Sequence, residues 1–198
     1  MKDVRYANRG ASFEEYIKFA NDRYKREGVA VVIKIPTEIL PIRNNRGKVV
    51  NAKVCSKSTV DFMGRYRNIP VAIEAKHTYK DRISFSEVKD HQAKFLDDFT
   101  GMYGIAFGAV LVSFKLERFF LVPWEYWRMA RKAWEEKDVY GKKTYTITHN
   151  GFTWTTPGKA SVSADELLPE WEIKQNNKYG LAYLSKIDTY TDMELTRI

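Results

Sequence analysis

Ser58-Thr59-Val60-Asp61-Phe62, followed after a short polar interval by Val71-Ala72-Ile73-Glu74-Ala75-Lys76, decides how this chain is read. Alternate residues of a strand share a face, so Glu74 and Lys76 point one way while Ile73 and Ala75 point the other. Between the runs, Met63-Gly64-Arg65-Tyr66-Arg67-Asn68 reads as a turn that returns Asp61 on the neighbouring strand. Two carboxylates and one ammonium then surround a single point. Paired carboxylates hold a hard cation such as magnesium. A lysine beside such an ion can orient the attacking water or neutralise charge building on a phosphate. A Glu-Lys pair on a solvated strand edge has the same spelling. The setting favours the first reading, because Ile69, Val71, Ala72, Ile73 and Ala75 make the run apolar. Charges there are costly unless paired or bound to an ion.

Upstream, Asn8-Arg9-Gly10 reads as a turn into a helix, with Ser12 and Glu15 forming a capping box. Phe13, Ile17, Ala20 and Tyr24 recur at helical spacing up to Gly28. Glu14 and Glu15 suit the first turn of that helix, and either can also reach toward the metal site. Val29–Ile35 is a β-branched run that predicts a buried strand ending at Pro36. From 36 to 58 core-like periodicity is lost. Arg43, Arg46, Lys48, Lys53 and Lys57 accumulate between Ile39 and Val60 with no acidic residue, around a turn at Asn44–Gly47. This stretch reads as a protruding two-stranded arm that contacts DNA phosphates, or as a solvated loop.

Downstream, Ser84 or Ser86 caps a helix to about Asp98, with Val88, Gln92, Phe95, Leu96 and Phe99 inward. Gln92 is polar on that face, either as a satisfied core amide or as a ligand for the metal or its waters. Gly104–Ser113 and Arg118–Val122 read as paired strands. Pro123 suits the first position of a helix carrying Trp124, Trp127, Arg131 and Trp134 on one side, as core packing rather than a base-stacking platform. Asn150-Gly151 marks a hairpin between Lys143–Thr148 and Phe152–Thr156. Ser163 with Glu166 starts a short helix, and Leu181, Tyr183, Leu184 and Ile187 form a last packing element.

The 198 residues, 44% of them hydrophobic and 14% aromatic, suffice for a real core. With no repeat or clear linker, a single domain over 1–198 with an insertion at about 36–58 is expected. No apolar stretch of about 18 residues and no leader pattern is present, so a cytoplasmic protein is expected. The lone Cys55 excludes an intramolecular disulfide and a cysteine-based zinc site, and His77, His91 and His149 lack metal-ligand spacing. Of the net charge of +8, residues 1–100 supply +7, with 20 Lys and Arg against 13 Asp and Glu. A positive field beside an acidic metal site suits a polyanionic substrate.

In combination, Asn8-Arg9-Gly10, Ser-Thr-x-Asp-Phe-x-Gly at 58–64, Ile73-Glu74-Ala75-Lys76, Ser84-Phe85 and Asp90-His91-Gln92 resemble the RecU family of Holliday junction resolvases. The resemblance runs from about residue 8 to 125 and fades beyond the Trp124 helix; the Asn150-Gly151 hairpin looks particular to this chain. It implies an α/β fold with a restriction-endonuclease-like core, a mixed central sheet flanked by helices, and a protruding basic stalk at 36–58. It implies a homodimer that nicks four-way DNA junctions symmetrically during recombination and repair, beside a recombinase or branch-migration protein. Thr59, Asp61, Glu74 and Gln92 would bind magnesium or manganese, with Lys76, Asp61 and Glu74 catalytic. Arg9, Arg43, Arg46, Lys48, Lys53 and Lys57 would contact the DNA. The short N-terminus fits a bacterial or a phage copy. Rival readings are a structure- or sequence-specific nuclease of another kind and a junction-binding protein that does not cut.

Overall fold

A computed structural model of the chain describes residues 4–37, 39–54, 59–101, 106–136, 144–149 and 151–191. Helix α1 spans Val4–Arg26 and buries Phe13, Ile17, Ala20 and Tyr24, the expected stripe. Its start is earlier than the sequence suggests: Asn8-Arg9-Gly10 lies inside the helix, and no acidic residue stands in its first turn. A glycine in a helix interior costs about 1 kcal/mol, too little to stop the hydrogen-bond ladder where no proline intervenes. Gly28, at φ 68°, ends the helix, with Val29 N–H donating to Tyr24 O at 2.9 Å.

The central sheet has six strands in the order β1-β4-β5-β7-β8-β12. These are β1 (Ala30–Lys34), β4 (Phe62–Tyr66), β5 (Ile69–Thr78), β7 (Phe107–Phe114), β8 (Arg118–Pro123) and β12 (Glu172–Ile173). Every pairing is antiparallel except β5 with β7, so the sheet is mixed. The crossover between β5 and β7 carries β6 (Arg82–Ser84), a 3-10 turn at Phe85–Glu87 and α2 (Asp90–Gly101). Ser84 caps that 3-10 turn, and α2 begins only at Asp90, later than a Ser84 cap implies. The mixed sheet flanked by helices is the architecture the sequence led us to expect.

Two strand readings change. Val29–Ile35 reads as a buried strand, yet β1 is the sheet edge and leaves Val31 and Ile33 52% and 59% exposed. The turn expected at Met63–Asn68 shrinks to Arg67-Asn68, and Met63–Tyr66 belong to β4. Gly64 is not a turn residue. A Cβ there would strike Val31 O and come within 2.6 Å of Val32 Cα, so it is the glycine that lets β1 lie against β4.

Two cores flank the sheet. On one face α1 and α4 (Ser185–Thr191) cover Val71, Ile73, Ala109, Leu111, Phe119 and Leu121, together with Leu181, Tyr183, Leu184 and Ile187. On the other, α2 and α3 (Trp124–Glu135) cover Ala72, Val110, Val112, Phe120 and Val122. Pro123 is the N-cap of α3 rather than its first residue, and Trp124 and Trp127 are buried as core. The hairpin β9 (Thr146–His149) with β10 (Phe152–Thr155), then β11 (Ser161–Ser163) paired with β6, complete this second layer. Trp154 and Trp171 pack 5.3 Å apart there, with Tyr126 4.8 Å from Trp171. Ser163 and Glu166 do form a capping box, over a single 3-10 turn.

The stretch after Pro36 forms a separate hairpin, β2 (Ile39–Arg43) with β3 (Val49–Val54), bulged between Ile42 and Arg43. Asn44 Oδ1 accepts from Arg46 N–H and Lys48 N–H, and Gly47 at φ 74° closes the turn. Among the described residues β2 and β3 pair only with each other, and the arm stands out exposed.

Candidate active site

Strand β5 is apolar on both faces from Ile69 to Ile73, up to where the site is built. Val71, Ile73 and Ala75 turn toward the α1 side, and Ala72 toward the α2 side. The alternation therefore puts Glu74 and Lys76 on the α2 face, as the spacing requires. Phe62 pairs with Ile73, so Asp61, one residue earlier, falls opposite Glu74. Asp61 is held at both ends of its residue: its carbonyl accepts from Ile35 N–H at 2.8 Å, and Oδ2 accepts from Ala75 N–H at 2.9 Å.

Glu74 is wholly buried. Its Oε1 accepts from Lys76 Nζ at 2.5 Å and from Gln92 Nε2 at 2.6 Å. Gln92, nearly buried on α2, is itself anchored by Lys89 N–H, which donates to its Oε1 at 2.9 Å. The second oxygen, Glu74 Oε2, is buried with no hydrogen-bond partner. Burial pushes the Glu74 carboxyl up to about 7; the neighbouring Asp61 charge adds to the rise, and the Lys76 ammonium opposes it. A buried carboxylate with one bare oxygen, beside a second carboxylate, is the environment a positive charge would relieve. Among the described residues no three His, Cys, Asp or Glu side chains come together, and Asp61 and Glu74 present two carboxylates side by side. Carboxylate oxygens are hard donors.

Asp61, Glu74, Lys76 and Gln92 thus converge. Thr59 lies exposed at the entrance to the Asp61 segment and makes no hydrogen bond to the other four among the described residues. Glu14 does not join them: it pairs with Lys34 at the end of β1, and Glu15 is exposed. Arg43, Arg46, Lys48 and Lys53 stand on the exposed arm, where the Arg43 guanidinium donates to Gly47 O at 2.8 Å. Lys57 and Cys55 lie outside the described residues, as does the Arg9 side chain. Sequence reasoning missed the backbone amides of Ala75 and Lys89, which fix Asp61 and Gln92, because main-chain donors carry no residue signature.

Residues 8–155 match the family RecU, Recombination protein U. The match runs on past residue 125 and takes in the Asn150-Gly151 hairpin, which is therefore not particular to this chain. A Holliday junction resolvase RecU of Streptococcus pneumoniae (strain Taiwan19F-14) is 33% identical over 126 residues, 61% of this chain and 64% of that protein. One from Streptococcus mutans is 35% identical over 129 residues, 62% of this chain and 64% of the relative. Another, from Streptococcus pneumoniae (strain P1031), is 30% identical over 140 residues, 68% and 71% of the two chains. The chain thus spans about 64% of the length of the first of these relatives. Among solved structures, Hjc, a Holliday junction resolvase of Archaeoglobus fulgidus, aligns with TM-score 0.36 and 14% identity over 56% of this chain and 78% of that one.

Proposed function

This chain belongs to the RecU family, and on that premise we propose that it is a metal-dependent endonuclease that resolves four-way DNA junctions by paired, symmetric nicks. The observation that carries the reading is Glu74, buried beside Asp61 with Oε2 bare and Oε1 held by Lys76 and Gln92. Asp61 and Glu74 would hold a magnesium or manganese ion, with Thr59 at the entrance as a further oxygen donor. Bound there, the cation supplies a more acidic water and positive charge for the scissile phosphate. The chain does the rest. Ala75 N–H keeps the Asp61 carboxylate aimed into the site. Lys76, 18% exposed at its side chain, holds its ammonium on Glu74 Oε1, where it would neutralise charge growing on a phosphate oxygen.

The arm supports the choice of substrate. Arg43, Arg46, Lys48 and Lys53 ride on a hairpin that projects from the sheet, a device for entering the centre of a branched duplex and contacting phosphates. Arg9 and Lys57 would extend those contacts. A two-fold junction calls for a homodimer with one site per strand. Such a protein acts on DNA in the cytoplasm, beside a recombinase or branch-migration protein. No helix among the described residues is long and apolar enough to cross a membrane. The test is Asp61→Asn against wild type, with a labelled four-way junction and magnesium. We expect nicking to be lost and junction binding to survive. An Asp61→Asn protein that nicks at the wild-type rate overturns the metal assignment.

A further inference from the structure

Three large aromatic side chains stand exposed among the described residues, Tyr16, Phe19 and Tyr79. Tyr16 and Phe19 ride on α1, whereas Tyr79 is the first residue past β5, three positions beyond Lys76. An isolated exposed tyrosine is ordinary on a protein surface. Tyr79 differs in being fixed in place while 45% of it stays open to solvent. Its ring meets that of His77 at 88°, with centroids 4.5 Å apart. His77 is held in turn: its Nδ1 lies 3.1 Å from Ser113 Oγ on β7, and Phe13 of α1 packs 6.0 Å from its ring. The backbone around Tyr79 is tied down as well. Lys80 N–H donates to Thr78 Oγ1 at 3.0 Å, and Lys115 N–H donates to Thr78 O at 2.7 Å. A tyrosine has few side-chain torsions to freeze, so one set in place beforehand offers a flat apolar surface at little entropic cost.

At about 3.3 Å per residue of strand, Tyr79 lies about 10 Å along the chain from Lys76. That is the length of about three stacked nucleotide steps, at about 3.4 Å each. When a phosphate sits at Lys76, a base one to three nucleotides away comes within reach of the Tyr79 ring. Lys80, exposed beside it, carries a cation for the adjoining phosphate. Bases inside a linear duplex are paired and stacked, and extruding one is costly; at the centre of a branched molecule the strands part, and the cost falls. We propose that Tyr79 is a specificity-determining residue that stacks on a base next to the scissile phosphate, a contact that branched DNA supplies and linear duplex does not. The inference rests on the junction-nuclease reading above. It adds a base contact beside the site, separate from the phosphate contacts of the arm.

The direct test is photo-crosslinking of the full-length protein to a four-way junction carrying 5-iododeoxyuridine one, two or three nucleotides from the nicked phosphate, beside the matched linear duplex. We expect a crosslink to Tyr79 from one of these positions in the junction and none in the duplex. Crosslinks that avoid Tyr79 at all three positions overturn the proposal. The second arm is junction affinity by gel shift in Tyr79→Ala, Tyr79→Leu and Tyr79→Phe, with folding checked by thermal melting. Loss of one base stack weakens junction binding by about 5- to 150-fold in Tyr79→Ala. Tyr79→Leu, which keeps apolar bulk against His77, shows the same loss. Tyr79→Phe keeps wild-type affinity, because the ring and not the hydroxyl makes the contact. Wild-type affinity in Tyr79→Leu, or a loss of the same size on linear duplex, contradicts the stack. A wild-type protein with no preference for junction over duplex sinks the junction reading itself, and this inference with it.

Discussion

At the scale of single residues, Glu74 is the most revealing side chain. Its folded carboxyl is raised from 4.5 to about 7, by burial first and then by the Asp61 charge. A raised value means that this group favours the folded state while protonated. Its contribution is complete below about pH 4.5 and is lost as pH rises through 7. At about 1.4 kcal/mol per unit, the loss is on the order of 3 kcal/mol. In chelator, wild-type stability should therefore fall between pH 5 and 8, whereas Glu74→Gln, which cannot ionise, should show a flatter profile. Urea unfolding across that range is the measurement; parallel profiles would mean Glu74 is already fully compensated without metal. Magnesium at 100 times its Kd should restore about 2.7 kcal/mol to wild type at pH 8 and little to the variant. Much of this residue-level picture is readable in sequence. The period of two on β5 is enough to place Glu74 and Lys76 together, and hairpin return is enough to bring Asp61 opposite. The Ala75 and Lys89 amides are not readable, because every residue has one and only the fold selects which is used.

At the scale of elements, what the sequence conceals is why a residue type is present. Gly64 has the look of a turn residue, yet it is a point of close contact in β4 against Val31 and Val32 of β1. Gly64→Ala should push β1 off the sheet edge and cost several kcal/mol, as forced overpacking against backbone does. Thermal melting and amide exchange of Val31–Ile33 would read it; a variant as stable as wild type would show that β1 is held by α1 alone. Likewise the hydrophobic run of β1 carries no mark of its being an edge, since the sequence shows apolarity but not what covers it. The arm, by contrast, announces itself through charge and lost periodicity, and it stands as a hairpin paired only with itself among the described residues. Deletion of residues 40–56 should leave the melting temperature within a few degrees of wild type while preference for junction over linear duplex falls. Gel-shift titrations decide it. Unchanged preference would reduce the arm to a surface loop.

For the whole molecule, the mixed sheet separates two cores, and Glu74, Lys76 and Gln92 meet on its α2 face. The sequence marks the first core plainly through the Phe13, Ile17, Ala20 and Tyr24 stripe. It marks part of the second through Val88, Leu96, Trp124 and Trp127, and hides the part that the segment from Thr146 to Trp171 completes through Trp154, Val162, Leu167 and Trp171, far along the chain from the strands they cover. That long-range closure leaves no local periodicity to read. With the site placed on the central sheet and the basic field carried by the first hundred residues, the central proposal is that two carboxylates and a lysine cut branched DNA. The measurement that tests it most directly is mapping of nicks at single-nucleotide resolution in a four-way junction and in matched linear duplex, each with magnesium or manganese, beside Glu74→Gln. The account predicts paired nicks at symmetric positions on opposing strands of the junction, none in the duplex, and none with the variant. Equal cutting of both substrates, or tight junction binding with no nicks under either metal, would contradict it.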